Sequence, residues 1–224
     1  MKKSTYIILC IVLVAFGIFF VTEIWKTIPT NFVFSDWFNS KKHVYMWGLW
    51  FLLGAILFPL MNRFLKKNID IVKVFTHEMC HAVTALITFR KIVSFHVTEK
   101  DGVVYTSGSD KTRFLVTLAP YCFLIYTIPL LLFRCMVKTP MMPIIDILIG
   151  FTVGLHFICI KEQTRSNQPD LTRNPLYFSY IYIITIWLFD ICLILLSYDT
   201  SSNIFYAFKT MGVDLWGVIS SLWK

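Results

Sequence analysis

Apolar residues run along this chain in six blocks, at 6–22, 44–61, 69–88, 114–133, 143–160 and 176–197, separated by shorter polar segments. A helix needs about 20 apolar residues to cross a hydrocarbon core roughly 30 Å thick. Each block approaches that length, so the pattern predicts six transmembrane helices. The third block is the least hydrophobic of them, because polar residues interrupt it.

Between blocks three and four the period changes. Lys91 opens a stretch, KIVSFHVTEKDGVVYTSGS, in which β-branched or aromatic residues alternate with polar ones around Asp101-Gly102, a favoured two-residue turn. It predicts a β-hairpin. Near the carboxy end Phe205, Phe208, Met211, Leu215 and Val218 recur at roughly helical spacing, as in an amphipathic helix lying in the membrane interface. The loop at 23–43 carries Trp25, Phe32, Phe34, Trp37 and Phe38 among polar residues, which suits the same interfacial zone.

The fold class expected is therefore an all-α polytopic membrane protein with six transmembrane helices and a small β-hairpin between helices three and four. Three regions follow: anchors and interfacial loop at 1–68, a membrane core at 69–198, and the interfacial helix at 199–224. No polar stretch approaches the ~50 residues that a separate soluble domain requires. The first block follows Lys2 and Lys3 but lacks a small-x-small cleavage pattern and runs into Glu23, Trp25 and Lys26, so it reads as a retained anchor. There is no internal repeat of the kind on which two-half transporters are built.

Composition agrees: 57% of the 224 residues are hydrophobic and only 15% charged, well outside soluble averages. A net charge of +8 would suggest a nucleic-acid partner in a soluble domain. Here the basic residues sit in short loops between apolar blocks, so the bilayer is the partner and no nucleic acid is implied. Lys and Arg divide almost evenly between the two sides, leaving orientation open. The six cysteines form no CxxC pair and mostly lie inside apolar blocks, where they act as small hydrophobes.

The candidate chemistry lies in block three, in FTHEMCHAVTALI. His77 and His81 are four apart, so on an α-helix their imidazoles reach one point. Two neutral imidazoles so placed can hold Zn²⁺, with Glu78 beside the open position as general base. That is the apparatus of metal-assisted peptide hydrolysis. Ionisable residues within a membrane helix cost about 2.5 to 3.5 kcal/mol each on insertion scales, and metal ligation is one compensating use. Contacts between helices are the bland alternative.

A zinc peptidase normally takes a third protein ligand, and four residues near block ends are candidates: Asp146, His156, Glu162 and Asp170. Asp170, in the polar, proline-bearing break SNQPDLTRNP, comes first, since non-helical backbone can line a cavity there. His156 reads as a ligand or an orienting donor, Glu162 as an interfacial charge, and Asp146 as a residue near a helix start. His96, alone on a strand, is left out, and Gly150 and Gly154 are assigned to helix packing.

HEMCH on a membrane helix, a hairpin after it, a further helix and a late aspartate together resemble the site-2 protease family of intramembrane metalloproteases, over roughly 69–196. The resemblance implies zinc held by His77, His81 and Asp170, Glu78 as general base, and a hairpin that presents an unwound membrane-protein substrate. Asp170 is followed by Leu171 where the family commonly has glycine. The family's glycine-proline-x-x-asparagine stretch is replaced by Leu118-Ala119-Pro120-Tyr121, as in a divergent, compact member. A multi-pass protein of a cell membrane, acting on membrane proteins or peptides, is the expectation; the sequence assigns no oligomeric state. The rival readings are a zinc hydrolase of the prenyl-protein endopeptidase type, which would use Glu162, and a silent scaffold or transporter.

Overall fold

A computed structural model gives the architecture; it describes residues 2–27, 42–98, 101–137, 139–164, 168–197 and 204–221. The chain is mostly helical. In order it runs α1 (Lys3–Thr27), α2 (Lys42–Phe64), α3 (Lys66–Ile87), β1 (Lys91–Val97), β2 (Gly102–Ser107), α4 (Arg113–Leu118), α5 (Thr127–Arg134), α6 (Met142–Gln163), α7 (Pro169–Thr172), α8 (Leu176–Ser197) and α9 (Ile204–Ser221). Short 3-10 turns lie at Asp110–Thr112, Ala119–Tyr121 and Thr139–Met141.

Among the described residues, three helices are long and apolar enough to cross a membrane: α1, α6 and α8. A shorter apolar run occupies Gly48–Phe64 of α2. Besides that shorter second span, two of the six expected spans change character. Block three forms α3, whose lysines, Asp70 and site residues keep it below the hydropathy of a span. Block four is not one helix. It breaks after Leu118 into a 3-10 turn and resumes only at Thr127, because Pro120 has no N–H to continue the ladder. The irregular stretch is buried at Ala119, Pro120, Tyr121 and Cys122, the condition under which such backbone is tolerated at membrane depth. The interfacial loop expected at 23–43 lies outside the described residues from 28 to 41.

Two helix pairs make the frame. In α2 and α6 the contact runs through Gly54, Gly150 and Gly154: a Cβ on Gly54 or Gly150 would strike the backbone of the facing helix, and one on Gly154 would lie 2.7 Å from the Ala55 carbonyl oxygen. The two glycines assigned to packing thus lie in a backbone-to-backbone contact that larger residues forbid. In the other pair α1 packs on α8, with the Thr185 hydroxyl donating to the Leu13 carbonyl at 3.2 Å. The α9 helix covers α8 through buried Ile204, Ala207 and Met211. Its Asp214 meets Lys26 at the end of α1, 3.2 Å away.

The turn from α3 into the hairpin is a Schellman closure. Phe89 N–H donates to the Leu86 carbonyl at 3.0 Å and Arg90 N–H to that of Ala85 at 2.8 Å. Phe89 takes the left-handed conformation, φ 56°, where glycine is usual; a residue with a Cβ there costs roughly 1–2 kcal/mol. Arg90 is then buried and donates to the Ser109 carbonyl and to the Thr106 hydroxyl, which fixes the hairpin's return strand against the end of α3.

The strands pair antiparallel from Lys91↔Ser107 to Val97↔Gly102, with a bulge between Ile92 and Ser94. Gly102 belongs to this ladder, and Thr98 and Asp101 close it: Thr98 N–H donates to the Asp101 carbonyl at 2.8 Å. Asp101-Gly102 is therefore not the two-residue turn expected from sequence. The closing pair is Thr98 and Asp101 in place of 100 and 103, so the register is shifted two residues toward the amino end.

Candidate metal centre

On α3, His77 and His81 stack their rings edge to face, centroids 4.9 Å apart. Small neighbours on the same helix, Cys80, Ala82 and Ala85, are all buried and let the broken fourth block come close. Each imidazole is held by its Nδ1. That of His77 lies 2.9 Å from Gln163 Oε1 at the end of α6, and that of His81 lies 2.7 Å from the Val116 carbonyl oxygen on α4. A carbonyl can only accept, so His81 carries its proton on Nδ1 and presents an Nε2 lone pair inward. Both Nε2 atoms point at one oxygen, Asp170 Oδ2, at 3.5 Å for His77 and 3.3 Å for His81.

The carbonyl that orients His81 is available because of Pro120. In a continuous helix the Val116 oxygen would take the N–H of residue 120, and proline has none. Ala119 N–H supplies one bond to that oxygen, and the remaining lone pair takes His81. We therefore expect Pro120→Ala, which restores the missing donor, to weaken metal retention about 10- to 100-fold, the usual effect of losing a partner that orients a ligand. Competition against graded chelator in the purified protein measures it; unchanged retention refutes this account of Pro120.

Asp170 sits in the first turn of α7, a single turn begun by Pro169. Leu171, wholly buried, anchors it among Leu118, Tyr121 and Phe178. Ser179 Oγ donates to the Leu171 carbonyl at 3.0 Å. Just beyond, Asn174 donates to Thr117 Oγ1 at 3.3 Å and accepts from Tyr6 Oη at 3.2 Å. Three helices thus hold the segment in place. Burial works to raise the Asp170 carboxyl; with a proton on the His77 and His81 rings, their hydrogen bonds and charge outweigh burial and hold it well below the usual carboxylate range. Asp170 is anionic at neutral pH.

Glu78 is buried, 6% exposed, and lies against the first residue of β2. A Cβ on Gly102 would overlap the Glu78 side chain, with Oε1 only 2.8 Å away. The hairpin therefore rests on the carboxylate through a residue that has no side chain. Tyr121 borders the same centre, its ring edge-on to His77 with centroids 5.7 Å apart.

Of the residues singled out by sequence, the structure brings together His77, His81 and Asp170, whose ligand atoms all lie within 4.8 Å of one another, with Glu78 in electrostatic range of all three. The other third-ligand candidates lie outside this group. Glu162 pairs with Lys73 at 2.5 Å and accepts from Asn62 at 3.2 Å. Asp146 pairs with Arg134 at 2.8 Å. His156 is buried beside Tyr126, and His96 is exposed on β1. Gln163 and the Val116 carbonyl escaped the sequence reading; Pro120 and Tyr121 appeared there only in the departure from the family's glycine-proline-x-x-asparagine stretch, and Gly102 only as a turn residue.

Three acceptor atoms that converge with no donor among them require a cation: a proton on a ring, or a metal ion. Two imidazole nitrogens and one carboxylate oxygen are a borderline donor set that suits zinc. The fixed Nδ1 partners keep the Nε2 lone pairs aimed inward.

The model of the Peptidase M50B-like family matches residues 49–169. No curated protein and no solved structure matches the chain. The match begins within α2, ahead of the stretch over which the sequence resembles site-2 proteases, and stops one residue before Asp170. It covers more than half of the chain, which therefore belongs to the Peptidase M50B-like family, within the site-2 protease family of membrane metallopeptidases.

Proposed function

We propose that this protein is an intramembrane zinc endopeptidase, passing the membrane several times, that hydrolyses peptide bonds of membrane proteins or peptides within or beside the bilayer. One observation carries the reading: the convergence of His77 Nε2, His81 Nε2 and Asp170 Oδ2, with both Nδ1 atoms already engaged. These three residues would hold the metal. Bound zinc supplies a Lewis acid that polarises a carbonyl and makes water nucleophilic near neutral pH.

The rest is the work of this chain's own groups. Glu78 takes the proton from the attacking water and returns it to the leaving amine. Gly102 brings β2 into contact with that carboxylate, so an extended segment added along a free edge of the two-stranded ladder passes close to the base. An extended substrate also has its carbonyls free, which a helix does not. The prenyl-protein endopeptidase reading would need Glu162 as a ligand, and that carboxylate is engaged by Lys73 and Asn62.

The test is the metal content of detergent-purified protein after dialysis against a mild chelator. About one zinc per chain is expected in wild type, with marked loss in His81→Ala and in Asp170→Ala. Full occupancy in His81→Ala, or no zinc in well-folded wild type, would refute the assignment.

A further inference from the structure

We infer that Tyr121 is a further catalytic residue, whose phenol donates a hydrogen bond to the oxyanion formed at the scissile carbonyl. The inference rests on the peptidase reading above. Tyr121 is completely buried, yet its hydroxyl has no hydrogen-bond partner. Buried phenols normally find one, since leaving the group unmet carries its full desolvation cost. Its position gives a reason. The ring stands at 88° to that of His77, and the hydroxyl lies in the field of Asp170 and Glu78.

The fold holds this side chain firmly. Tyr121 ends the 3-10 turn created by the break at Pro120. Trp187 Nε1 donates to its carbonyl oxygen at 2.9 Å, and Leu118, Leu171 and Phe178 pack with it. A donor placed in a dry site before charge develops is worth far more than the same donor in water, because nothing reorganises when the charge appears. The chain departs from its family's glycine-proline-x-x-asparagine pattern at this turn, and Tyr121 follows the retained proline directly.

The step balances without transfer from Tyr121. Water oxygen forms the new bond to carbon as Glu78 takes the proton. The carbonyl π pair moves onto oxygen, and the phenol O–H donates to that oxygen while keeping its own proton. When the tetrahedral carbon collapses, the C–N bond breaks and Glu78 returns the proton to nitrogen.

Tyr121→Phe separates this role from packing, since the ring and the Trp187 contact to the backbone remain. The probe is a single-span synthetic peptide in detergent that wild type cuts and Glu78→Gln does not. A phosphinic analogue of it, tetrahedral at phosphorus, serves as the equilibrium ligand. For Tyr121→Phe we expect kcat to fall about 100- to 1,000-fold, with KM and zinc content near wild type and the phosphinate weakened in parallel. A kcat within threefold of wild type overturns the inference and leaves the peptidase reading intact, as does zinc lost together with activity. If wild type cuts no such peptide, both fall.

Discussion

Replacing Glu78 by glutamine is expected to slow peptide hydrolysis about 100- to 10,000-fold and to leave zinc content at the wild-type level. Glutamine keeps the length of the side chain and its contact with Gly102, but it can neither accept the proton from water nor return one to the leaving amine. The separation of metal from activity follows from the geometry. Glu78 stands outside the group of His77, His81 and Asp170 whose ligand atoms converge, and it holds neither Nδ1 contact. Fragment formation by mass spectrometry and zinc by elemental analysis, on the same preparation, decide the matter. Cleavage retained to within tenfold of wild type would mean that another group moves the proton.

Gly102→Val is expected to be comparably damaging to turnover, although residue 102 is outside the converging ligand group. Any side chain at 102 enters the volume that Glu78 occupies, reaching Cγ, Oε1 and Cδ. Either the carboxylate swings away or the hairpin lifts. In both cases the base and the strand lose their contact, and a misplaced catalytic group of this kind costs about 100-fold or more in rate. Zinc should stay bound, because His77, His81 and Asp170 are held from α4, α6 and α7 and not from the hairpin. Cleavage of the same peptide by Gly102→Val at the wild-type rate would show that the contact is incidental.

How much of this was legible in the sequence depends on the range of the interaction. His77, Glu78 and His81 follow from helical spacing alone, which is local. The hairpin followed from alternation, also local, but its connection was misplaced because Asp-Gly is only a preference, while Thr98 and Asp101 bond to each other and extend the ladder. Asp170 could be picked out as an acid in a polar break, and the structure brings it to the two imidazoles. Block four was misread because hydrophobicity measures burial and not helicity. Ala119, Pro120, Tyr121 and Cys122 sit inside the apolar block, yet they form a turn enclosed by protein. The roles of Gly102, Gln163 and Tyr121 at the site were invisible for a stronger reason. Each matters only through a partner between 24 and 86 positions away, and a single sequence does not say which residues become neighbours.

The link from Tyr6 to Asn174 has a bearing on how little of this chain can be cut away. Tyr6 Oη donates to the side chain that braces the Asp170 segment, and its ring packs on Phe178 with centroids 5.0 Å apart. The first helix is thereby part of the suspension of the last ligand candidate. The minimal unit that keeps every brace of the centre starts ahead of Tyr6 and runs past Trp187, well beyond both ends of the family's shared region.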